Sequence, residues 1–211
     1  MTVLETANQS LLDSLSSQVG FAMEQMDKNI LALKEVNSDL ARQVEDTEDR
    51  FDDLANEFQE ACIKVLALHQ PVARDLVYVM GLYKAGQDIE RIGSLMARVG
   101  RKIRKIIKEG GGHHWPLASR KHFELMGRAM DALGSLVRWA GASPDLVYLR
   151  EIEVESSLLK KTVRVGVEEK LLKSPELSRE LMLIQGVSRH LDRAIKLVVS
   201  IAEDWHTSPT V

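Results

Sequence analysis

The sequence predicts an all-α fold of two tandem three-helix bundles, and three observations lead to it. Apolar residues recur three and four positions apart along most of the 211 residues, as amphipathic helices require. Residues that favour helix, such as Met, Leu, Ala, Glu, Lys and Arg, recur throughout, whereas aromatic residues make up only 5 %. The two halves of the chain also carry similar motifs at similar spacings, which indicates an internal repeat.

Breaks in the apolar periodicity divide the chain into six long antiparallel helices joined by short loops. Gly, Pro, Asn and Ser residues mark these breaks. The strongest is the glycine run at 110–112, which divides the chain into a first repeat, residues 1–111, and a second, residues 112–211. The predicted helices span residues 8–36, 39–68, 71–109, 116–140, 144–172 and 175–205.

Cap and core positions follow from the same pattern. Asp39 is the predicted N-cap of the second helix, and Pro71 and Pro175 are placed in the first turns of the third and sixth helices. Cys62 is predicted to be a small buried side chain and not a nucleophile. The predicted apolar stripes comprise Val44, Phe51, Leu54, Phe58, Cys62 and Val65 in the second helix and Ile92, Met96, Val99, Ile103 and Ile106 in the third. Packing roles are also predicted for Met80, Met126, Met130 and Met182.

Composition and missing motifs exclude several classes of protein. The net charge of −3 supplies no overall basic field for nucleic acid. The single cysteine favours a reducing compartment, and no stretch approaches the roughly 20 apolar residues of a membrane span. The N-terminus resembles no signal peptide. There is no phosphate-binding Gly-rich loop, no Gly-x-Ser-x-Gly and no paired-cysteine metal site. We therefore expect a cytoplasmic protein that is not an enzyme.

The repeat is visible in acidic and basic motifs. Glu48 and Asp52 near the start of the second helix correspond to Glu151 and Glu155 in the second half. The run Ile89-Glu90-Arg91-Ile92 likewise corresponds to Leu191-Asp192-Arg193-Ala194.

Residues 66–93, LALHQPVARDLVYVMGLYKAGQDIERIG, resemble the signature of the PhoU family. In that family Gln-Pro-x-Ala-x-Asp-Leu leads into Lys-x-x-x-(Asp/Glu)-x-Glu-Arg-Ile-Gly-Asp. The residues that match in type and spacing are Gln70, Pro71, Ala73, Asp75, Leu76, Lys84, Asp88, Glu90, Arg91, Ile92 and Gly93. The order and lengths of the helices extend the resemblance over almost the whole chain.

The resemblance implies two three-helix bundles and a role in phosphate signalling. Family members are peripheral regulators that link the ATPase subunit of a phosphate ABC transporter to a membrane-bound sensor histidine kinase, and they keep the phosphate-starvation response off when phosphate is plentiful. The resemblance leaves a homodimer open. The residues predicted to bind a partner are Asp75, Lys84, Asp88, Arg91, Arg98, Arg101, Lys102 and Lys105.

The alternative function is a metal-binding bundle without a signalling role. Some family members hold iron or zinc through acids four residues apart, because carboxylates at i and i+4 share one face of a helix. The corresponding acids are Glu48, Asp52, Glu90, Glu151, Glu155 and Asp192. Both third-helix motifs are incomplete, since Ser94 and Lys196 stand where the last acid is expected. Ordinary ion pairs are therefore the competing interpretation of these acids.

Two further features have competing interpretations. The basic face of the third helix, which includes Arg98, Arg101, Lys102 and Lys105, fits an acidic partner or an anionic membrane surface, and it equally fits a solvated face. His113 and His114 beside Trp115 could bind metal, but the sequence around them offers no further ligands, so a surface loop is predicted.

Overall fold

The computed structural model describes residues 2–110, 117–138 and 144–207, and within these ranges it contains helices and no strand. This confirms the all-α prediction. The helices are α1 (Val3–Glu35), α2 (Ser38–Glu45), α3 (Glu48–His69), α4 (Arg74–Lys108), α5 (Leu117–Arg138), α6 (Leu146–Lys173) and α7 (Ser178–Thr207), with a 3-10 turn at Pro175–Leu177.

The helices pack in two sets of three. In the first half α1, α3 and α4 contact one another, with the short α2 against α1 and α4, and in the second half α5, α6 and α7 do the same. Across the halves α4 packs on α7 and α1 on α5, and one apolar cluster includes residues of both. The predicted boundary at 111/112 lies outside the described residues, so the division into two domains stays a prediction.

The predicted second helix is wrong in one respect, because it is two helices. The break lies at Asp46 and Thr47, and the Thr47 hydroxyl donates a hydrogen bond to the Val44 carbonyl at 2.7 Å. The N-cap of α2 is Asn37 and not Asp39. Its side-chain oxygen accepts from the backbone N–H groups of the second and third residues that follow it.

The prolines lie just before the helices that they were predicted to begin. Helix α4 starts at Arg74, three residues after Pro71, and Pro175 begins the 3-10 turn that precedes α7. At the other end of α4, Gly110 adopts a φ of 79°, which supports the predicted glycine stop.

Two glycines of α4 make room for phenyl rings of α3. A Cβ atom on Gly93 would lie 2.2 Å from the ring of Phe51, and one on Gly86 would lie 2.4 Å from the ring of Phe58. Both rings are buried. Close approach of α3 and α4 therefore depends on these glycines, and Gly93 belongs to the signature that the sequence showed.

The predicted core is largely confirmed. Cys62 and all five stripe residues of α4 are buried, and so are Met126 and Met130. Met80 and Met182 are not packing residues as predicted, because they are 46 % and 62 % exposed. Periodicity placed them on helices but did not identify the side that the neighbouring helices cover.

Candidate functional site

The turn between α3 and α4 exposes a cluster of apolar side chains, here called the apical patch. Their exposed fractions range from 41 % for Leu76 to 78 % for Leu68. The patch comprises Ile63, Leu68, Val72, Leu76, Val77 and Met80, and it overlaps the first part of the signature segment. Several large apolar side chains left exposed around one turn are typical of sites that bind other proteins.

The backbone under the apical patch is held in sparsely populated conformations. Gln70 ends α3 with φ 45° and ψ 51°, and Ala73 precedes α4 with φ 48° and ψ −112°. Residues with a Cβ atom seldom adopt positive φ, and such strain clusters at functional sites. Sequence reasoning missed the patch because it assigned Met80 to the core. The sequence did offer one sign of the patch, because the apolar residues Leu68 and Val72 stand on either side of the Gln-Pro pair.

The polar signature residues on α4 form ion pairs within the chain. The Lys84 ammonium lies 2.6 Å from the Asp204 carboxylate of α7, and the hydrogen bond that it donates there raises the pKa of Lys84. Arg91 donates to Asp88 at 2.9 Å. The Asp88 side chain is only 6 % exposed, and burial raises its pKa despite the arginine. Lys84 therefore joins α4 to α7, whereas Arg91 and Asp88 pair within α4.

The basic face of α4 meets carboxylates at the α2–α3 break. Arg101 donates to Glu45 at 3.1 Å and to Glu48 at 3.0 Å. Arg98 lies 3.7 Å from the same Glu48, and Arg104 lies 2.7 Å from Glu45. The end of α2 and the start of α3 are therefore both tied to α4.

The remaining predicted docking residues differ in exposure. Lys102 lies across Gly186 of α7, where a Cβ atom would be 2.8 Å from its Cε atom. Burial and the nearby cations Arg189, Lys105 and Arg101 lower the pKa of Lys102. Lys105 is exposed and Asp75 is half-buried. Of the eight predicted docking residues, the structure thus assigns several to packing and ion pairs, and their role in binding a partner stays a prediction.

The predicted metal ligands of the first half are only partly available. Glu48 is paired with two arginines, and Glu90 accepts a hydrogen bond from the Ser94 hydroxyl at 3.1 Å. Asp52 is exposed. Ser94 stands where the family motif has an acid, and its hydroxyl binds the carboxylate of Glu90 one helical turn earlier.

In the second half, two lysine side chains bind Asp192, the carboxylate that was predicted to hold a metal ion. Lys160 lies 2.5 Å and Lys196 3.2 Å from the Asp192 carboxylate, which is 5 % exposed. Burial acts to raise the pKa of Asp192, but the hydrogen bonds from the two lysines outweigh it and the pKa lies below its usual value. Glu155 lies 3.9 Å from Arg128, and Glu151 is exposed.

The arrangement does not fit a multi-carboxylate metal cluster. In the described part of the chain, no three His, Cys, Asp or Glu side chains come together in a way that could hold a metal ion. Nothing in the described geometry favours the metal-binding alternative. His113, His114 and Trp115 lie outside the described residues.

A buried chain of polar groups in the second half went unnoticed in the sequence. Ser188 lies 2.9 Å from Nδ1 of His122, Nε2 of His122 lies 2.8 Å from Ser156, and Ser156 donates to Asp192 at 3.2 Å. Since the Ser156 proton is committed to Asp192, its oxygen accepts from Nε2–H, and Nδ1 accepts from Ser188. His122, Ser156 and Ser188 occupy positions at which the helices otherwise carry buried apolar residues, and this was the signal that the sequence offered.

None of the described helices is long and apolar enough to cross a membrane. The polar signature residues on α4 are engaged in contacts within the chain. Within the described ranges, the apical patch is the surface that combines the signature segment with strained backbone and exposed apolar side chains.

Comparison with known proteins agrees with the signature. The PhoU domain family model matches residues 15–103. A Phosphate-specific transport system accessory protein PhoU homolog from Pseudomonas aeruginosa is 32 % identical over 91 residues, which are 43 % of this chain and 38 % of that protein. PhoU homolog 1 of that system from Thermotoga maritima is 25 % identical over 194 residues, 87 % of this chain and 78 % of its own length.

The aligned segment thus covers little more than a third of the Pseudomonas relative. A solved structure of PhoU from Pseudomonas aeruginosa nevertheless superposes with a TM-score of 0.89 over 95 % of this chain and 96 % of that chain, at 20 % identity. At that identity the superposition establishes the fold. Domain match, relatives and fold agree with the motif at residues 70–93: residues 15–103 match the PhoU domain, and the chain as a whole has the fold of PhoU.

Proposed function

We propose that the chain regulates inorganic phosphate uptake and the phosphate-starvation response as a cytoplasmic adaptor without catalytic activity. Its partners would be the ATPase subunit of a phosphate ABC transporter and a sensor histidine kinase. The observation that carries the proposal is the apical patch, since it places exposed apolar side chains on the family signature. The names of the relatives, accessory proteins of phosphate-specific transport, supply the pathway.

The chemistry of the patch suits a protein partner. Leu68 and Val72 are 78 % and 74 % exposed, and burying such side chains against a partner contributes about 1.5–3 kcal/mol each. Asp75, which precedes Leu76 at the start of α4, supplies charge there, whereas Lys105 lies about 45 Å away near the other end of the helix.

The test measures binding of the full chain to the purified ATPase subunit and to the cytoplasmic part of the kinase, both from the same organism. We expect Leu68→Glu and Val72→Glu each to weaken binding to at least one of them about tenfold or more, because a carboxylate would be buried without a partner. Leu172→Glu is the matched control, since Leu172 is 87 % exposed on α6 and lies outside the patch.

Deletion of the gene completes the test. We expect phosphate-starvation genes to be expressed in phosphate-rich medium, and the Val72→Glu chain to restore repression less well than the Leu172→Glu chain. Binding to neither protein, together with unchanged expression after deletion, would overturn the proposal.

A further inference from the structure

Positive charge collects where α4 packs on α7. Residues 94–108 of α4 contain six basic residues and no acid, and residues 181–191 of α7 also contain no acid. On the side of α4 that meets α2 and α3, Glu45 and Glu48 pair with the arginines. On the side that meets α7, no carboxylate within the described ranges forms an ion pair with the cations, which are Lys102, Lys105, Arg189 and Arg193.

Three contacts along the two helices show that α4 and α7 run antiparallel. The pairs in contact are Lys84 with Asp204, Lys102 with Gly186, and Glu109 with Arg179. From the first pair to the second, the contact moves 18 residues forward along α4 and 18 back along α7, and from the second to the third it moves seven forward and seven back. The register is therefore constant. Arg98, four residues before Lys102, lies level with His190, four residues after Gly186.

Cations of both helices surround His190, which is half-buried. Burial and then the nearby cations Lys102, Arg98, Arg189 and Arg193 lower the pKa of His190 to about 4. The imidazole is thus neutral at pH 7 and adds a hydrogen-bond donor but no charge. Cations held this close without a carboxylate repel one another, which opposes the folded state. The group is here called the junction cluster, and its members are Arg98, Lys102, Lys105, Arg189, His190 and Arg193.

We propose that the junction cluster binds a chain of two or three phosphoryl groups, either free as an inorganic oligophosphate or carried by a nucleotide. A single phosphate group carries a charge of about −2, which would neutralise only about half of the four cations that lack a carboxylate. The members on α4 extend over seven residues, or about 10 Å, and a short phosphate chain can follow them. Guanidinium groups such as those of Arg189 and Arg193 bind phosphoryl oxygens in pairs.

The shape of the junction cluster favours a small anion over an acidic protein or a membrane surface. An extended partner suits charges spread over one face, whereas these cations belong to two helices and surround one half-buried side chain. Gly186 permits the arrangement, because a Cβ atom there would lie 2.8 Å from Cε and 3.0 Å from Nζ of Lys102. No Phe, Tyr or Trp belongs to the cluster to stack on a base, so the phosphoryl chain is the part that is recognised.

The first experiment is calorimetric titration of the full chain at constant ionic strength and without divalent cations, since added salt also screens charge. We expect one tripolyphosphate per chain, with orthophosphate and sulfate bound at least about tenfold more weakly. ATP bound as tightly as tripolyphosphate would indicate that the base is not read, and ATP bound at least about tenfold more tightly would identify a nucleotide as the source. No saturable binding of tripolyphosphate, or binding no tighter than that of sulfate, overturns the proposal.

The second experiment locates the site. Lys102→Gln and Arg189→Gln should each weaken tripolyphosphate binding about tenfold or more. Lys64→Gln is the matched control, since it removes one positive charge from an exposed position on α3. Gly186→Ala keeps every charge but displaces the Lys102 side chain, so it should weaken binding about threefold or more. Circular dichroism checks that each variant is folded, and equal affinity in the control and the three cluster variants overturns the proposal.

The third experiment uses the repulsion within the cluster. Without added anion and at low salt, Arg189→Gln should raise the midpoint of thermal unfolding, because one repelling charge is gone. A hundredfold excess of tripolyphosphate over its dissociation constant should raise the midpoint of the original chain by about 5 °C or more and that of the variant by less. The order of stability should therefore reverse. A difference between the two chains that tripolyphosphate does not alter overturns the proposal.

Vesicles of equal parts phosphatidylglycerol and phosphatidylcholine distinguish the site from a membrane contact. We expect Arg189→Gln to leave any co-sedimentation of the full chain with these vesicles unchanged. Co-sedimentation that Arg189→Gln abolishes, in a chain that does not bind tripolyphosphate, would assign the junction cluster to a membrane surface and overturn the proposal.

Discussion

Gly93 shows at the scale of single residues why the signature contains a glycine. Its missing Cβ atom makes room for the ring of Phe51, which is buried and packs on Phe21 with the ring centroids 4.7 Å apart. Gly86 does the same for Phe58, seven residues further along α3. A glycine within a helix can thus serve packing and not flexibility.

We expect Gly93→Ala to lower the free energy of unfolding by about 1–3 kcal/mol, because an added methyl group would force the ring and α3 to move. Gly20→Ala is the control, since a Cβ atom on Gly20 meets nothing within 4 Å. That change should stabilise the chain by about 0.5–1 kcal/mol through helix propensity. Urea denaturation of both variants checks the prediction, and equal stability of the two would contradict the packing explanation.

His122 makes the stability of the chain depend on pH. It is fully buried, and burial lowers its pKa to about 4. The unfolded chain takes up a proton near pH 6.5. Between these values the unfolded state binds more protons than the folded state, so stability falls as the pH falls from about 6.5 to about 4. The slope contributed by one such histidine is at most about 1.4 kcal/mol per pH unit.

Urea denaturation at pH 7, 6 and 5 tests this behaviour. His122→Asn should be less stable at pH 7 by about 1–3 kcal/mol, because Ser188 or Ser156 loses its buried partner. Its stability should also depend less steeply on pH. Some slope should remain, since burial likewise lowers the pKa of His190 to about 4. An unchanged slope in His122→Asn would show that the histidine does not titrate as described.

Single residues also mark the limit of sequence reasoning. Apolar spacing identified Ile92, Met96 and Val99 as core because periodicity and burial coincide there. It could not identify Glu45 and Glu48 as the partners of Arg101, or Lys160 as a partner of Asp192, since those lie 32 to 56 residues away and depend on how helices meet. Charge type alone therefore suggested metal ligands where the fold provides arginine and lysine.

At the scale of elements, the break between α2 and α3 is the main departure from the predicted helices. The periodicity continues through residues 44–51, so a single helix was the natural prediction. The actual turn lets the carboxylates of Glu45 and Glu48 converge on Arg101. It also brings α2 so near to α4 that a Cβ atom on Gly100 would lie 2.9 Å from the Ala41 carbonyl oxygen.

Removing Arg101 should increase local opening at the break between α2 and α3 more than it destabilises the whole chain. We expect Arg101→Ala to lower the free energy of unfolding by about 1 kcal/mol, since the pairs are partly exposed. Amide hydrogen exchange within Ser38–Glu45 should become faster. Arg164→Ala removes an exposed pair within α6 and is the control for both measurements. Unchanged exchange in α2 after Arg101→Ala would show that the corner is held by packing alone.

At the scale of the whole molecule, the contacts between the halves matter as much as the repeat. Helix α4 packs on α7 along much of its length, Lys84 reaches Asp204 across the contact, and one apolar cluster includes residues of both halves. The sequence predicted the two sets of helices from their similarity. It did not reveal how they meet, because the residues involved belong to the general apolar pattern.

We therefore expect the chain to unfold as one cooperative unit. Calorimetry should give a van't Hoff enthalpy close to the calorimetric enthalpy, as a two-state transition requires. Measurement at low protein concentration separates unfolding from association. Lys84→Ala should lower the transition temperature without splitting the transition, since the apolar contact remains. Two resolved transitions in the original chain would indicate that each half folds independently.

Cys62 gives the molecule a practical property. It is the only cysteine in the sequence, it is fully buried, and burial raises the pKa of its thiol to about 11. A thiol is reactive as the thiolate, so this one is inert towards maleimides at neutral pH. A cysteine introduced at an exposed position would then be the single site that takes a spin label or a fluorophore. Distances between helices can therefore be measured with pairs of introduced cysteines, without first replacing Cys62.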